Sequence, residues 1–245
     1  MYDVLIIGCG ITGAAAAFEL SKYKLKTGIL ERENDVSLGT TKANSAILHA
    51  GYDPEPGTKM ARLNVEGVRM AKELCEKLAV ERKEIGSFVL AFNEEEMKTV
   101  HTLFDRGNQN GVPGMRILTG EEVRAMEPAI SAEVAGALYA PSAAIVSPWE
   151  FCIALAETAV VNGAEVRLSA KVESIEKGEG SFLLHTTAGD VEAKYVVNAA
   201  GVEADKVHAM VGGHTFRTLP NRGEYFLLDK AQGELVNKVV FQCPN

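Results

Sequence analysis

The stretch YDVLIIGCGITGAAAAFELSKYKLKTGILERE, residues 2–33, constrains the fold more than any other part of the chain. Tyr2 to Ile7 is nearly all apolar, the pattern of a strand buried on both faces. Gly8, Gly10 and Gly13 complete GxGxxG, and residues 12–22 read as a helix packed through Ala14 to Ala17, Phe18 and Leu20. Lys26 to Glu31 forms a second short strand, and Glu31 closes it 23 residues after Gly8. Strand, glycine loop, helix, strand and acid in that order make a βαβ unit suited to a dinucleotide. Gly8 makes the tight turn, Gly10 lets the backbone approach a pyrophosphate, and Gly13 lets helix and strand close on each other. The pyrophosphate would meet the free N–H groups at the helix start. Ile11, Thr12 and Arg32 flank these positions and join the expected cofactor contacts. An ordinary glycine-rich turn would leave Glu31 unexplained. That acid also disfavours a 2′-phosphate, which it would repel. FAD and NAD both fit this element taken alone.

Bulk properties narrow the class. The chain has 245 residues, of which 47% are hydrophobic, enough for two lobes. Net charge is -8 with no basic stripe, which argues against a nucleic-acid surface. No apolar run reaches the length of a membrane span, and no secretory signal is recognisable at the start. The four cysteines, Cys9, Cys75, Cys152 and Cys243, lack CxxC spacing and a partner His, so no metal site is expected. Reduced thiols suit a cytoplasmic protein. The run VVFQCPN at the end reads as the edge of an N-terminal fragment.

Further along, residues 57–79 are amphipathic, with Met60, Leu63, Gly67, Val68, Leu74, Cys75 and Leu78 near one helical face. Ser87 to Phe92 is strand-like. Asn93 followed by Glu94 to Glu96 is a helix start, in which the acids favour the first turn. Thr119 with Glu122 forms a capping box, and Ser147-Pro148 opens a helix running to about Asn162. Val166 to Leu168 reads as a strand. Val172 to Lys177 and Ser181 to Thr187 read as a hairpin, and Val191 to Asn198 as a strand ending in NAAG. That ending resembles a second nucleotide-side crossing, passed with small side chains. Residues 217–229, RTLPNRGEYFLLD, return to strand character. The expected architecture is α/β: a Rossmann-like nucleotide-binding domain, 1–80 and 142–212, interleaved with a mixed α+β substrate domain, 81–141 and 213–245. Interleaving of this kind places a ligand cleft between the lobes.

GCGITG at 8–13, ILERE at 29–33, NSAILHAGY at 44–52 and NAAG at 198–201 together resemble the D-amino-acid-oxidase-like superfamily of FAD-dependent oxidoreductases. The HAGY stretch and RGEYFLLD at 222–229 look most like its L-2-hydroxyglutarate dehydrogenase/oxidase and FAD-dependent glycerol-3-phosphate dehydrogenase branch. The resemblance implies FAD as cofactor. It places Thr41, Lys42, Ala43, Asn44 and Ser45 along it, Val172 near adenine, and Ala199, Ala200 and Gly201 at the second crossing. It also implies a late glycine-rich segment over the flavin, expected beyond residue 245, without which FAD would be held weakly.

In such a site hydride moves from carbon to flavin, while protein groups orient the substrate and take a proton. His49 is the best candidate base, since its ordinary pKa lies close to neutral. The competing readings are a flavin contact without proton transfer and no site role. Arg222 is the best anion clamp, with Tyr225 as a hydroxyl donor beside it. The bland reading of Arg222 is a surface charge in the turn after Pro220. The implied substrate is a small anionic alcohol, an L-2-hydroxy acid or sn-glycerol 3-phosphate. The alternatives are an amino-acid oxidase of the same superfamily and a non-catalytic nucleotide-binding or interaction module. The electron acceptor and the oligomeric state are not legible, and peripheral membrane contact through that acceptor stays open.

Overall fold

The computed structural model describes residues 1–244. Along the chain it opens with β1 (Tyr2–Ile7), α1 (Ile11–Leu20), β2 (Thr27–Leu30), a 3-10 turn at Thr40–Lys42, β3 (Ile47–Leu48), α2 (Lys59–Lys77) and β4 (Arg82–Lys83). It continues with β5 (Ser87–Ala91), α3 (Glu94–Asn110), β6 (Arg116–Thr119), α4 (Gly120–Met126), β7 (Gly136–Ala140) and β8 (Ala144–Val146). The last elements are α5 (Pro148–Val161), β9 (Glu165–Arg167), β10 (Val172–Lys177), β11 (Phe182–Thr186), β12 (Val191–Asn198), α6 (Ala204–Ala209) and β13 (Val239–Gln242).

The chain divides into two units, Met1–Ser45 with Ser147–Gly223, and Ala46–Val146 with Glu224–Asn245. The first is a Rossmann-like α/β unit. Its six-stranded sheet has the order β10-β11-β12-β1-β2-β9. β1 lies between β2 and β12 and is parallel to both, so strand order reverses about it. The hairpin β10–β11 joins antiparallel through β11 to β12. Leu5 and Ile6 in β1 and Ile29 in β2 are wholly buried, as the near-continuous apolar runs require. Ser147 caps α5 by accepting from the Glu150 N–H at 3.3 Å, with Pro148 in the first turn.

The second unit is mixed α+β. A four-stranded sheet runs β13-β5-β7-β6, and a three-stranded one runs β3-β8-β4. Asn93 Oδ1 accepts from the Glu96 N–H at 2.9 Å, and Glu96 in return accepts from the Phe92 N–H at 2.8 Å. The Glu94–Glu96 cluster is thus a helix start rather than a site. The capping box at Thr119 and Glu122 is present. Glu127, wholly buried, accepts the Asn237 N–H on both carboxylate oxygens at 3.1 Å. That contact ties the 224–245 segment to this unit.

Three expectations shift. Residues 46–80 fall in the second unit, not with 1–45, and the later boundaries lie near 147 and 223 instead of 142 and 212. The cause is pairing and packing: β3 pairs with β8, and Ala50, Tyr52 and Val65 join the core formed by Val89, Leu103 and Leu138. On α2 the buried positions are Ala61, Ala71 and Cys75, whereas Met60 and Leu63 are exposed. The two large apolar side chains had pulled the expected face to one side of the real one. Residues 217–229 form no strand and are almost entirely exposed. Apolar character does not suffice for a strand, which needs a neighbour to pair with. Among the described residues, no helix is long and apolar enough to cross a membrane.

Candidate functional site

In the first unit two chain segments leave the sheet side by side. Ile7 stands opposite Asn198, and the Ala199 N–H donates to the Ile7 carbonyl at 2.9 Å. The glycine loop and the NAAG run therefore meet at the carboxyl ends of adjacent parallel strands, at the point where strand order reverses. Ligands bind there in open α/β sheets. Gly8 has φ 99°, and a Cβ on it would stand 2.6 Å from the Ala199 carbonyl oxygen. A Cβ on Gly13 would stand 1.9 Å from the Gly8 carbonyl oxygen, so glycine alone lets α1 lie that close to the turn.

α1 starts at Ile11 with Gly10 as its cap, no side-chain cap bond from Gly10, and no acid in the first turn. Thr41 Oγ1 accepts from the Ile11 N–H at 3.0 Å. The other leading N–H groups and the positive end of the helix dipole suit a phosphate. Glu31 is only 8% exposed. Its Oε2 accepts from the Cys9 N–H at 2.7 Å and its Oε1 from the Glu33 N–H at 3.0 Å. An ionised carboxylate has about four acceptor positions, so lone pairs remain for ribose hydroxyls.

These groups open onto a cavity of about 920 Å³. Of the residues expected at the cofactor, Gly8, Gly10, Ile11, Thr12, Glu31, Arg32, Thr41, Asn44, Val172, Ala199, Ala200 and Gly201 line it. Gly13 lies below the loop and shapes it. Lys42, Ala43 and Ser45 do not line it and are exposed. The 3-10 turn buries Thr41 and sets Thr40 at the cavity wall, while Lys42 is exposed and outside the lining. Asn44 reinforces the turn, donating from Nδ2 to the Thr41 carbonyl at 2.6 Å.

Sequence reasoning missed part of the lining: Lys171, Glu173, Lys206, Met210 and Thr218. Lys171 precedes Val172 directly, and the Ala170 N–H donates to the Glu31 carbonyl at 2.8 Å, so strand entry brings it in. Thr218 arrives through its N–H, which donates to Asp205 Oδ2 at 3.0 Å. That bond is the main cause holding the Asp205 carboxyl below its ordinary pKa. No spacing rule announces such a contact. Cys9 inside the glycine loop is no nucleophile: burial pushes its thiol up to about 12, and that of Cys152 up to about 11.

The three expected catalytic residues are placed differently. His49 belongs to the second unit, just after β3, and its ring stacks on Phe241 of β13 with centroids 5.6 Å apart and planes at 26°. Part of the side chain reaches solvent, yet crowding by the protein pushes its pKa below 6.5, with Asp53 opposing. A ring neutral at pH 7 has a nitrogen able to accept a proton. Arg222 and Tyr225 lie in the exposed 217–229 stretch. Arg222 does not line the cavity of the first unit.

A nucleotide cavity at a strand switch point, built on GxGxxG and an acid at the end of β2, defines a Rossmann-type dinucleotide-binding unit. The FAD dependent oxidoreductase family matches residues 3–245, and the chain belongs to that family. It is 51% identical over 245 residues to a glycerol 3-phosphate dehydrogenase of Caloramator mitchellensis, covering 100% of this chain and 51% of that protein. To an L-2-hydroxyglutarate dehydrogenase of Indibacter alkaliphilus it is 30% identical over 248 residues, covering 100% of this chain and 62% of the other. Among solved structures, the reduced L-alpha-glycerophosphate oxidase of Mycoplasma pneumoniae with FAD bound superposes with a TM-score of 0.88. It is 28% identical, over 99% of this chain and 65% of that one. The chain thus spans roughly half to two thirds of the length of these relatives.

Proposed function

We propose that this chain belongs to an FAD-dependent dehydrogenase or oxidase that oxidises a small anionic alcohol, with sn-glycerol 3-phosphate as the first candidate. The observation that carries the reading is the cavity at the β1–β12 junction, where Gly8 and Gly13 admit no side chain and the Glu31 carboxylate lines the wall. The 51% identity to a glycerol 3-phosphate dehydrogenase supports the choice of substrate. An L-2-hydroxy acid is the second reading, supported by the 30% identity to an L-2-hydroxyglutarate dehydrogenase. We assign cofactor binding to the first unit, in a cytoplasmic protein.

The residues present fit FAD. The start of α1 would meet the pyrophosphate, Glu31 would accept from the ribose hydroxyls, and Val172 would border the adenine. Ala199 to Gly201 would line the cofactor from the second crossing. FAD supplies the hydride acceptor that no side chain here provides. A ring nitrogen of His49 takes the alcohol proton as the C–H bond breaks, a contribution typically worth about 10² to 10⁴ in rate. Arg222 holds the substrate anion through parallel hydrogen bonds, assisted by the Tyr225 hydroxyl.

The test is anaerobic bleaching of the flavin absorbance by sn-glycerol 3-phosphate, L-2-hydroxyglutarate and a set of amino acids, in the full-length protein. Bleaching by glycerol 3-phosphate is expected. Bleaching by amino acids alone, or a purified protein that takes up no FAD, would overturn the proposal. His49→Ala should slow the bleaching while FAD stays bound, and Arg222→Ala should raise the substrate concentration needed.

A further inference from the structure

A second cavity, of about 650 Å³, lies entirely within the second unit. Its wall is cationic in a chain whose net charge is -8. Arg62, Arg69 and Lys72 reach it from α2, where their spacing keeps them on one side of the helix, and Arg82 reaches it from β4. Two carboxylates, Glu66 and Glu84, face the same space. Four cations narrowly exceed these two carboxylates, Glu73, which pairs with Arg69, and the roughly half negative charge at the C-terminus of α3.

The cations are not locked away. Arg62 pairs with Glu66 at 3.2 Å and Arg69 with Glu73 at 2.8 Å, both on the exposed helix surface, where such pairs hold weakly. Lys72 makes no ion pair among the described residues. Arg82 differs: its side chain is only 11% exposed and is fixed by Glu84 at 2.6 Å. Ser142 also lines the cavity, and its Oγ is buried with no hydrogen-bond partner. Buried hydroxyls are nearly always satisfied, so an orphan at a cationic wall marks a place for an acceptor. Ala50, Val65, Val68 and Pro113 supply an apolar face beside it.

We infer that this cavity binds a small organic phosphate: the phosphoryl oxygens take hydrogen bonds from Arg82, Lys72 and the Ser142 hydroxyl, and the organic part lies on the apolar face. The site is separate from the dinucleotide cavity in its residues, and it does not depend on the oxidoreductase reading. A free metabolite and a lipid headgroup both carry this chemistry, and the two sources are distinguished by experiment.

Phenyl phosphate and inorganic phosphate are titrated into the protein by calorimetry, with and without saturating FAD. Saturable binding is expected, tighter for phenyl phosphate, weakened by added salt and unchanged by FAD. Lys72→Glu should weaken phenyl phosphate binding at least about tenfold, as loss of one charge-assisted contact predicts, while FAD absorbance stays the same. Ser142→Ala, which leaves the charges intact, should weaken it by a smaller factor. Vesicles of phosphatidic acid, measured by co-sedimentation against phosphatidylcholine vesicles, show whether a headgroup can serve as the phosphate. Absence of saturable phosphate binding, competition by FAD, or equal affinity in Lys72→Glu would each overturn the inference.

Discussion

Replacing Glu31 by glutamine tests the backbone clamp seen in the structure and the ribose contact proposed for this side chain. The carboxylate accepts two buried or half-buried backbone N–H groups, those of Cys9 and Glu33, at 2.7 and 3.0 Å. Glutamine keeps the shape and offers one acceptor oxygen, so one of these N–H groups would face an NH2 group. Leaving a buried donor unsatisfied costs about 1–3 kcal/mol. In a protein of this size that lowers Tm by about 2–12 °C. The loss should be present before any cofactor is added, because it belongs to the fold of the glycine loop. The second task is ribose binding. Loss of a hydrogen bond to a charged group should weaken FAD by about ten- to a hundredfold. Both are measurable on one preparation, by thermal denaturation of the apoprotein and by flavin fluorescence titration. An unchanged apoprotein Tm would refute the double N–H clamp. A lowered Tm with unchanged FAD affinity would keep the clamp and remove Glu31 from the ribose.

Other perturbations have equally definite outcomes. Gly13→Ala should abolish FAD binding, because its Cβ would meet the Gly8 carbonyl oxygen at 1.9 Å; flavin absorbance after purification reads the result, and normal occupancy would contradict the geometry. For His49, a pKa lowered from 6.5 means that the neutral ring prevails above that value and is lost as pH falls through the lower folded pKa. Its stabilising contribution follows the same direction, so flavin reduction should decline on acidification with a midpoint below 6.5, and a His49→Gln variant that shows the same decline would assign it elsewhere. Phe226 and Leu227 are 94% and 100% exposed, so the 245-residue chain should self-associate through this stretch. Phe226→Lys with Leu227→Lys should reduce light scattering, and equal scattering would count against that account.

Much of the first unit was legible because its signals are local or nearly so. GxGxxG, an apolar strand and Glu31 follow one another within a single βαβ unit, and helix caps such as Ser147 and Thr119 act within one turn. The second crossing was legible for another reason: a strand ending in NAAG leaves only small side chains where the glycine loop must pass. Contacts made through backbone groups were not legible. Thr218 enters by its N–H and Ala170 by its pairing with Glu31, and neither depends on residue type. Charge suggested Lys42 as a phosphate contact, whereas the residues of that turn that line the cavity are Thr40 and Thr41. The unit boundary at Ser45 depends on β3, two residues long and defined only by its partner β8. Such a strand has no pattern of its own.

The hydrogen bond from the Ala199 N–H to the Ile7 carbonyl also sets an order of assembly. It joins halves of one cavity that are separated along the chain by the whole of residues 46–146. During synthesis β1, α1 and β2 emerge early with one wall of the cavity, and they must wait for β12 to supply the other. Closing so long a loop is slow compared with forming the local helices. A bound dinucleotide would bridge the two walls and favour the closed state by mass action. Cofactor present during folding should therefore act as a clasp on the sheet as well as a reagent in the site.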